Sequence, residues 1–198
     1  GDQTFNKLKE QARLQLYKME TNENRFVVLD NIEETKGFNR LPKQNDSDLF
    51  FDIEGDPTVN QGLEYLLGII IKNKNILDYK SFWAHNHKDE KIIFISLMNF
   101  FKSHIDNHPS SYIYHYSAYE ISALKRLSIK YDECGDILDF LLRNKKFVDL
   151  YLVVKESIRI SEPKYSIKNL ETFYMKERTS DVQKGSDSVD MYIRWKET

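Results

Sequence analysis

The stretch that most constrains the fold is an apolar segment that carries two acids, Asp48-Leu-Phe-Phe-Asp-Ile-Glu-Gly-Asp-Pro57. Leu49 to Ile53 predicts a short strand, and Asp52 and Glu54 then share one face because side chains two apart in a strand point the same way. The Gly-Asp-Pro turn ends the strand just after them. Two adjacent carboxylates repel unless a cation or a proton relieves their charge. The segment therefore predicts either an acidic site at a strand end or an edge strand with solvated acids.

The bulk composition limits the kind of protein. A chain of 198 residues fits a domain with a substantial core. A net charge of −2 gives no global basic field, so a nucleic-acid partner has to be held by a local patch or through metal ions. No run of about 18 apolar residues is present, which argues against a membrane span, and we expect no membrane partner. The single cysteine, Cys134, rules out an internal disulfide and favours a cytoplasmic location.

The order of the predicted elements indicates the fold class. We expect an amphipathic helix from Thr4 to Glu20 whose apolar side packs against the protein. The predicted strands are Phe26 to Leu29, the acid-bearing strand, Leu63 to Ile71, Ile76 to Ala84, Tyr112 to Tyr116 and Phe147 to Asp149. The further predicted helices are Asp89 to Ile105, the segment after Glu120, Leu150 to Ser157, Ser166 to Tyr174 and Ser188 to Trp195. A three-stranded antiparallel meander followed by strands that alternate with helices predicts an α/β fold with a mixed central sheet flanked by helices.

Glu120 is the third acid of interest because it follows a predicted strand and lies in the first turn of a helix. The pattern Ser117-x-x-Glu120 matches a capping box, in which the two side chains satisfy amides at the helix start. From the residues alone this interpretation is favoured. The alternative is that Glu120 faces Asp52 and Glu54 and completes a carboxylate cage. One side chain in one rotamer cannot fill both roles.

A carboxylate cage has a clear chemical use. Carboxylate oxygens bind hard cations such as Mg²⁺ or Mn²⁺. Two such ions about 4 Å apart activate a water and stabilise the leaving oxygen in phosphodiester cleavage. The ions also supply the positive charge that this chain lacks for holding a phosphate backbone.

Other residues are weaker candidates for contacts with substrate. Tyr116 and Tyr119 lie beside Glu120 and are suited to stacking a terminal base, with core packing equally open. Lys168 is suited to a phosphate contact, although a solvated charged face is the favoured interpretation.

Five segments together resemble one known family in their order and spacing. They are Phe50-Phe-Asp-Ile-Glu-Gly-Asp-Pro57, Gly62-Leu-Glu-Tyr-Leu-Leu-Gly68, Tyr114-His-Tyr-Ser-Ala-Tyr-Glu120, Phe147-Val-Asp-Leu-Tyr151 and Tyr165-Ser-Ile-Lys-Asn-Leu-Glu171. The family is the ribonuclease H-like, DnaQ-type (DEDD) exonuclease domain of the predicted RecB-family nucleases, often found beside a superfamily 1 helicase. The resemblance runs from about Leu41 to Trp195.

The resemblance implies a ribonuclease H-like fold and a metal-dependent nuclease. It implies 3′–5′ exonuclease action on single-stranded DNA or RNA with two ions, Mg²⁺ or Mn²⁺, and a helicase domain of the same parent protein as a partner. By resemblance, Asp52 and Glu54 are the catalytic, metal-binding acids of the first motif. Glu120 occupies the place of the second-motif acid, where the wider superfamily more often has aspartate.

The sequence departs from the family at the third motif, a Tyr or His followed a few residues later by an Asp. We expect the chain to be truncated before this motif and to hold the second ion weakly. We expect residues 1–40 to form an N-terminal helix and connecting segment, and residues 41–198 the nuclease domain. Asp149 is either a strand-end acid or a neighbour of the cage. A non-catalytic nucleic-acid-binding or docking domain is the alternative to a nuclease, and the intact acid pair favours the nuclease.

Overall fold

A computed structural model of the chain describes residues 2–30, 33–73, 76–175 and 185–197. The chain divides into two compact units. The smaller unit comprises Gly1–Pro42 and Leu150–Thr179, and the larger unit comprises Lys43–Asp149 and Ser180–Thr198.

The strands and helices of the described residues follow the predicted order. The strands are β1 Phe26–Val28, β2 Leu49–Asp56, β3 Leu63–Asn73, β4 Ile76–Trp83, β5 Ile113–His115, β6 Phe147–Asp149 and β7 Ile158–Ile160. The helices are α1 Asp2–Thr21, α2 His87–Asn107, α3 Tyr119–Tyr131, α4 Gly135–Arg143, α5 Leu150–Ser157, α6 Ile167–Glu171 and α7 Gly185–Glu197, with a 3₁₀ turn at Gly37–Arg40.

The larger unit is built on a five-stranded sheet in the order β4-β3-β2-β5-β6 among the described residues. Strand β2 pairs antiparallel with β3, and β3 pairs antiparallel with β4, which forms the predicted meander. On its other side β2 pairs parallel with β5, and β5 pairs parallel with β6. The predicted α/β fold with a mixed central sheet flanked by helices is therefore confirmed.

The core of the larger unit lies on one face of this sheet. Phe51 and Ile53 on β2, and Leu67 and Ile69 on β3, are buried there with apolar residues of α2, α3 and α4. Because side chains alternate along β2, Asp52 points to the opposite face. The core thus fixes the strand that carries the acid pair.

Three short elements were not predicted, namely α4, β7 and the 3₁₀ turn. The start of α4 is hidden in the sequence because the polar segment before it resembles a loop. In the structure Asp132 and Cys134 adopt left-handed φ angles of 53° and 56°, which end α3 and redirect the chain directly into α4.

In the smaller unit, β1 and β7 form a two-stranded antiparallel sheet. Helix α1 packs through a different side from the apolar side that the sequence predicts. The expected packing of its apolar side is wrong, since Phe5, Leu8 and Met19 are mostly exposed. A different face of α1 is held instead: Leu14 is buried, and Gln11 Nε2 donates a 2.6 Å hydrogen bond to the Ile160 carbonyl.

The sequence also predicts a turn at Asn73-Lys-Asn75 and an irregular segment from Met175 to Asp187, and both lie wholly or mostly outside the described residues. Across the part of the chain that is described, no helix combines the length and the apolar character needed to cross a membrane.

Candidate metal-binding active site

Strand β2 presents Asp52 and Glu54 on the sheet face opposite the core. Asp52 is paired with Gly68 on β3, which has no side chain to fill the space beside the carboxylate. That space is closed partly by Tyr79 of β4: a Cβ added at Gly68 would lie 2.9 Å from the Tyr79 hydroxyl. The tyrosine hydroxyl, rather than an aliphatic side chain, therefore borders the acid pair.

A register shift between Glu54 and Gly55 ends the regular pairing of β2 with β3. Any side chain at Gly55 would collide with the Glu64 carboxylate and come within 2.7 Å of the Tyr119 hydroxyl. Glycine follows the acid pair because two buried polar groups occupy the space where a Cβ would lie.

A strained turn delivers Glu120 to the start of α3. Ser117 has a φ of 83°, which is uncommon for a residue other than glycine. Its N–H donates a 3.0 Å hydrogen bond to Asp149 Oδ1, and its carbonyl accepts a 2.7 Å hydrogen bond from His115 Nδ1. Because a carbonyl oxygen only accepts, this contact places a proton on His115 Nδ1. The sequence left the role of Asp149 open. In the structure Asp149 is the strand-end acid that accepts the hydrogen bond holding this turn.

The predicted capping box at the start of α3 is wrong. The residue at the N-cap is Ala118, and no side-chain cap forms there among the described residues. Glu120 is only 4 % exposed, and its Oε2 atom has no hydrogen-bond partner in the described part of the chain. His115 Nδ1 lies 3.5 Å from this atom but is already bonded to Ser117. The carboxylate is therefore buried without being used to cap the helix.

The acids interact electrostatically. The pKa of Asp52 is raised from 3.8 to about 6 by burial, by the negative charge of Glu120 and by that of Glu54. Asp52 nevertheless remains exposed to solvent, as a group that meets a ligand must be. Burial contributes less to the raised pKa of Asp52 where the residue meets water, but the negative charges of Glu120 and Glu54 raise that pKa as well. The structure thus brings Glu54 and Glu120 each within reach of the charge of Asp52, and a hydrogen bond also joins Asp52 to Glu120.

Two other buried carboxylates in the larger unit, Glu64 and Glu90, have hydrogen-bond and ion-pair partners. Glu64 accepts a 3.0 Å hydrogen bond from the Tyr119 hydroxyl and pairs with Arg126. Burial by itself would raise the pKa of Glu90, but hydrogen bonds from Lys130 and Tyr131 lower it below its ordinary value. Buried polar groups are normally paired in this way. Glu120 Oε2 is an exception, and such exceptions are enriched at functional sites.

The donor set suits a hard cation in its chemistry. Three carboxylates that repel one another, one with an unsatisfied buried oxygen, are the ligands that Mg²⁺ and Mn²⁺ prefer. The side chains are not arranged as a finished site, however: within the described residues no three His, Cys, Asp or Glu side chains already form a cluster that could hold a metal ion.

The remaining predicted contact residues are placed differently. Tyr119 uses its hydroxyl to hold Glu64, while its ring stays 44 % exposed. Tyr116 is a half-buried residue of the turn after β5. Lys168 is half-buried on α6 and belongs to the smaller unit, whereas the three acids belong to the larger one.

Sequence reasoning did not identify two of the features that shape the site. Gly68 lies in one of the five segments of the resemblance, but only the strand register shows that it faces Asp52. The Glu64–Tyr119 contact joins residues 55 positions apart, so no local pattern could reveal it.

Comparisons with known proteins add one finding. A family model described as the RNase_H superfamily matches residues 49–198, from the first residue of β2 onwards. No curated protein and no solved structure matches the chain significantly. The match covers most of the chain and confirms the ribonuclease H-like part of the predicted resemblance. It indicates a nuclease-type domain, of a kind that generally binds nucleic acid and uses divalent metal ions. The chain belongs to the RNase H superfamily.

Proposed function

We propose that the chain is a metal-dependent nuclease domain that hydrolyses phosphodiester bonds, with Asp52, Glu54 and Glu120 as its metal-binding and catalytic acids. The observation that carries the proposal is the buried Oε2 atom of Glu120, which has no hydrogen-bond partner in the described part of the chain, beside an Asp52 whose pKa is raised to about 6. An unsatisfied buried carboxylate oxygen costs stability, and a ligand bound at the acids would offset that cost.

Strand β2, the Ser117 turn and the three acids have separate roles in this proposal. The rigid strand β2 fixes Asp52 and Glu54 on one face, and the Ser117 turn, held by His115 and Asp149, sets Glu120 opposite them. A divalent ion held by these acids would polarise a phosphoryl oxygen and make bound water more acidic. The acids exclude other anions from the site until their own charge is balanced, so they make substrate binding depend on the cation.

The finer assignment rests on the resemblance of the five segments. It comprises DnaQ-type (DEDD) chemistry with two ions, Mg²⁺ or Mn²⁺, 3′–5′ polarity on single-stranded DNA or RNA, a RecB-family origin with a helicase partner, and a cytoplasmic location. Substrate contacts by Tyr116, Tyr119 and Lys168 belong to the same proposal. Tyr119 is 44 % exposed as a residue while its hydroxyl donates to Glu64, which is compatible with stacking of its ring on a base.

A second candidate function is a non-catalytic nucleic-acid-binding or docking domain. One observation favours it: the described residues contain no ready-made three-ligand cluster for a metal. Under this function the acid row would be a remnant, and binding of nucleic acid would not depend on divalent ions.

The test is cleavage of a 5′-labelled single-stranded oligonucleotide, as DNA and as RNA, with Mg²⁺ or Mn²⁺. Asp52→Asn is the test variant, and Asp139→Asn is the matched control because Asp139 is an exposed acid on α4 paired with Arg143. We expect shortening from the 3′ end that Asp52→Asn reduces at least about 100-fold and the control leaves unchanged. Binding without cleavage under every metal condition would support the second function, and equal cleavage by Asp52→Asn would refute the proposed site.

A further inference from the structure

An aromatic cleft lies in the larger unit between α7 and the end of the β3–β4 hairpin. It has a volume of about 700 Å³. Its lining is dominated by Tyr65, Trp83, His85, Met191, Tyr192 and Trp195. None of these side chains belongs to the acid site described above, and a cleft of this size accommodates a planar group the size of a nucleobase.

The floor of this aromatic cleft is rigid. Tyr65 and Tyr192 are buried and stack with ring centroids 4.1 Å apart and planes 6° apart. The Tyr65 hydroxyl is 2.8 Å from Ser188 Oγ, and the Tyr192 hydroxyl donates a 3.1 Å hydrogen bond to the Ala84 carbonyl. Both phenol groups are thus satisfied, and the pair ties α7 to the sheet.

The rim of the cleft is open. Trp83 is 48 % exposed and Trp195 is 60 % exposed. Their rings lie within 23° and 28° of the plane of Tyr192, so the exposed indoles and the buried floor have similar orientations. Exposed tryptophans that flank a stacked pair of tyrosines present flat faces to a flat ligand.

Strand register places the cleft on the same side of the sheet as the acid pair. Glu54 is opposite Leu66 on β3, and Leu66 is opposite Trp83 on β4. The three residues therefore form one row across adjacent strands, and Trp83 lies two strand spacings, or about 10 Å, from Glu54. An extended single strand held at the acids can cover that distance within a few nucleotides.

Basic and acidic groups both lie around the cleft. Lys196 donates a 3.0 Å hydrogen bond to the His85 carbonyl, and Arg194 is exposed on the same helix. Burial and the negative charges of Asp56 and Asp89 raise the pKa of Tyr192 in the floor. A nucleobase is neutral, and the two basic side chains of α7 supply positive charge for the phosphates of its strand.

We propose that the aromatic cleft receives an unpaired base of a single-stranded nucleic acid and stacks it against Trp83 and Trp195. This proposal rests on the proposed function, since it takes the strand to be the one held at the acids. Stacking on aromatic faces tolerates any base, so the cleft favours unpaired strands without selecting a sequence. A base in a duplex is already stacked and is not available to the cleft.

Intrinsic fluorescence tests the proposal directly, because the chain has two tryptophans and both line the cleft. The protein is titrated in Mg²⁺ with a six-nucleotide thymidine oligonucleotide whose phosphorothioate linkages resist hydrolysis. We expect saturable quenching, and none with an abasic oligonucleotide of the same length. Equal quenching by the abasic strand, or quenching by tetramethylammonium but not by the thymidine strand, would overturn the proposal.

Variants measured by fluorescence anisotropy of a labelled oligonucleotide give the second readout. Trp83→Ala and Trp195→Ala are each expected to weaken binding by about 5- to 100-fold, and Trp83→Phe by less than about 3-fold because a ring is kept. Ile129→Ala, on the 83 % exposed Ile129 of α3, is the control and should not change binding. Circular dichroism checks that each variant is folded. If Trp83→Ala does not fold, the affinities of Trp195→Ala and Trp83→Phe still test whether a base stacks in the cleft. Unchanged affinity in the folded alanine variants would refute base stacking.

The outcomes separate this proposal from the nuclease function. Base-dependent quenching in a protein that cleaves nothing with any metal would support the cleft and refute the nuclease. Cleavage that depends on Asp52, together with full activity and affinity in both tryptophan variants, would support the nuclease and refute the cleft.

Discussion

At the scale of single residues, the acids of the candidate site differ from other acids of the larger unit in their hydrogen-bond partners and neighbouring charges. Glu64 and Glu90 are buried and paired, whereas Glu120 is buried with one oxygen unsatisfied among the described residues. Asp52 is exposed but crowded by two other negative charges. These features cost stability in the absence of a cation, and that cost can be measured.

The first prediction concerns stability and pH. The pKa of Asp52 is raised in the folded protein, so the folded state is relatively favoured below pH 3.8 and loses that advantage as pH rises through about 6. At pH 7.5 without divalent ions, Asp52→Asn should therefore raise the melting temperature. Because Asp52 is solvent-exposed, we expect only about 1 kcal/mol, or about 2–4 °C.

Thermal unfolding followed by circular dichroism at pH 7.5 and pH 3.5 measures this effect. The difference between wild type and Asp52→Asn should disappear at pH 3.5, where both side chains are neutral. A variant that is less stable than wild type at pH 7.5 would show that Asp52 has a structural role instead.

The second prediction concerns the coupling between Asp52 and Glu120. Glu120→Gln removes one negative charge while keeping the shape of the side chain, so the pKa of Asp52 should fall from about 6 towards its ordinary value. Carboxyl ¹³C chemical shifts followed during a pH titration report this directly. The same midpoint in both proteins would mean that the two acids do not interact.

At the scale of elements, β2 is shaped by two glycines with different surroundings. The space above Gly55 holds the buried Glu64 carboxylate and the Tyr119 hydroxyl, which are bonded to each other. The space above Gly68, on β3, holds the hydroxyl end of Tyr79, a side chain that is 59 % exposed and can move aside.

The third prediction follows from this difference. Gly55→Ala should lower the free energy of unfolding by about 1–3 kcal/mol, because it displaces a buried hydrogen-bonded carboxylate. Gly68→Ala is the matched control and should change it by less than about 1 kcal/mol. Urea unfolding of both variants gives the two values, and a larger loss for Gly68→Ala would contradict the described packing around the acid strand.

The elements that could be predicted from the sequence are those with a strong periodic pattern. The apolar run of β2 and the spacing in α2 were sufficient, because burial of one face dictates them. The start of α4 depends on two left-handed residues, Asp132 and Cys134, and cysteine gives no signal for that conformation. The exposed apolar side of α1 was predicted to pack because periodicity reveals an apolar face but not whether anything covers it.

At the scale of the whole molecule, the three acids and the aromatic cleft share the larger unit. The acids could be located from the sequence because they lie in a compact motif and at a helix start. The cleft could not, because it joins Tyr65 and Trp83 to Tyr192 and Trp195, more than 100 positions further along the chain. The register of β3 with β2 and β4 relates this cleft to Glu54, and the charge of Glu54, after burial, contributes to the raised pKa of Tyr65.

The central claim is that the acid row binds a divalent cation, and the most direct measurement is Mn²⁺ titration by isothermal calorimetry. Wild type, Asp52→Asn and the control Asp139→Asn are compared at pH 7.5. We predict saturable binding to wild type and to the control, and loss of that binding in Asp52→Asn. Equal binding by all three proteins, or no binding to wild type at millimolar Mn²⁺, would contradict the claim.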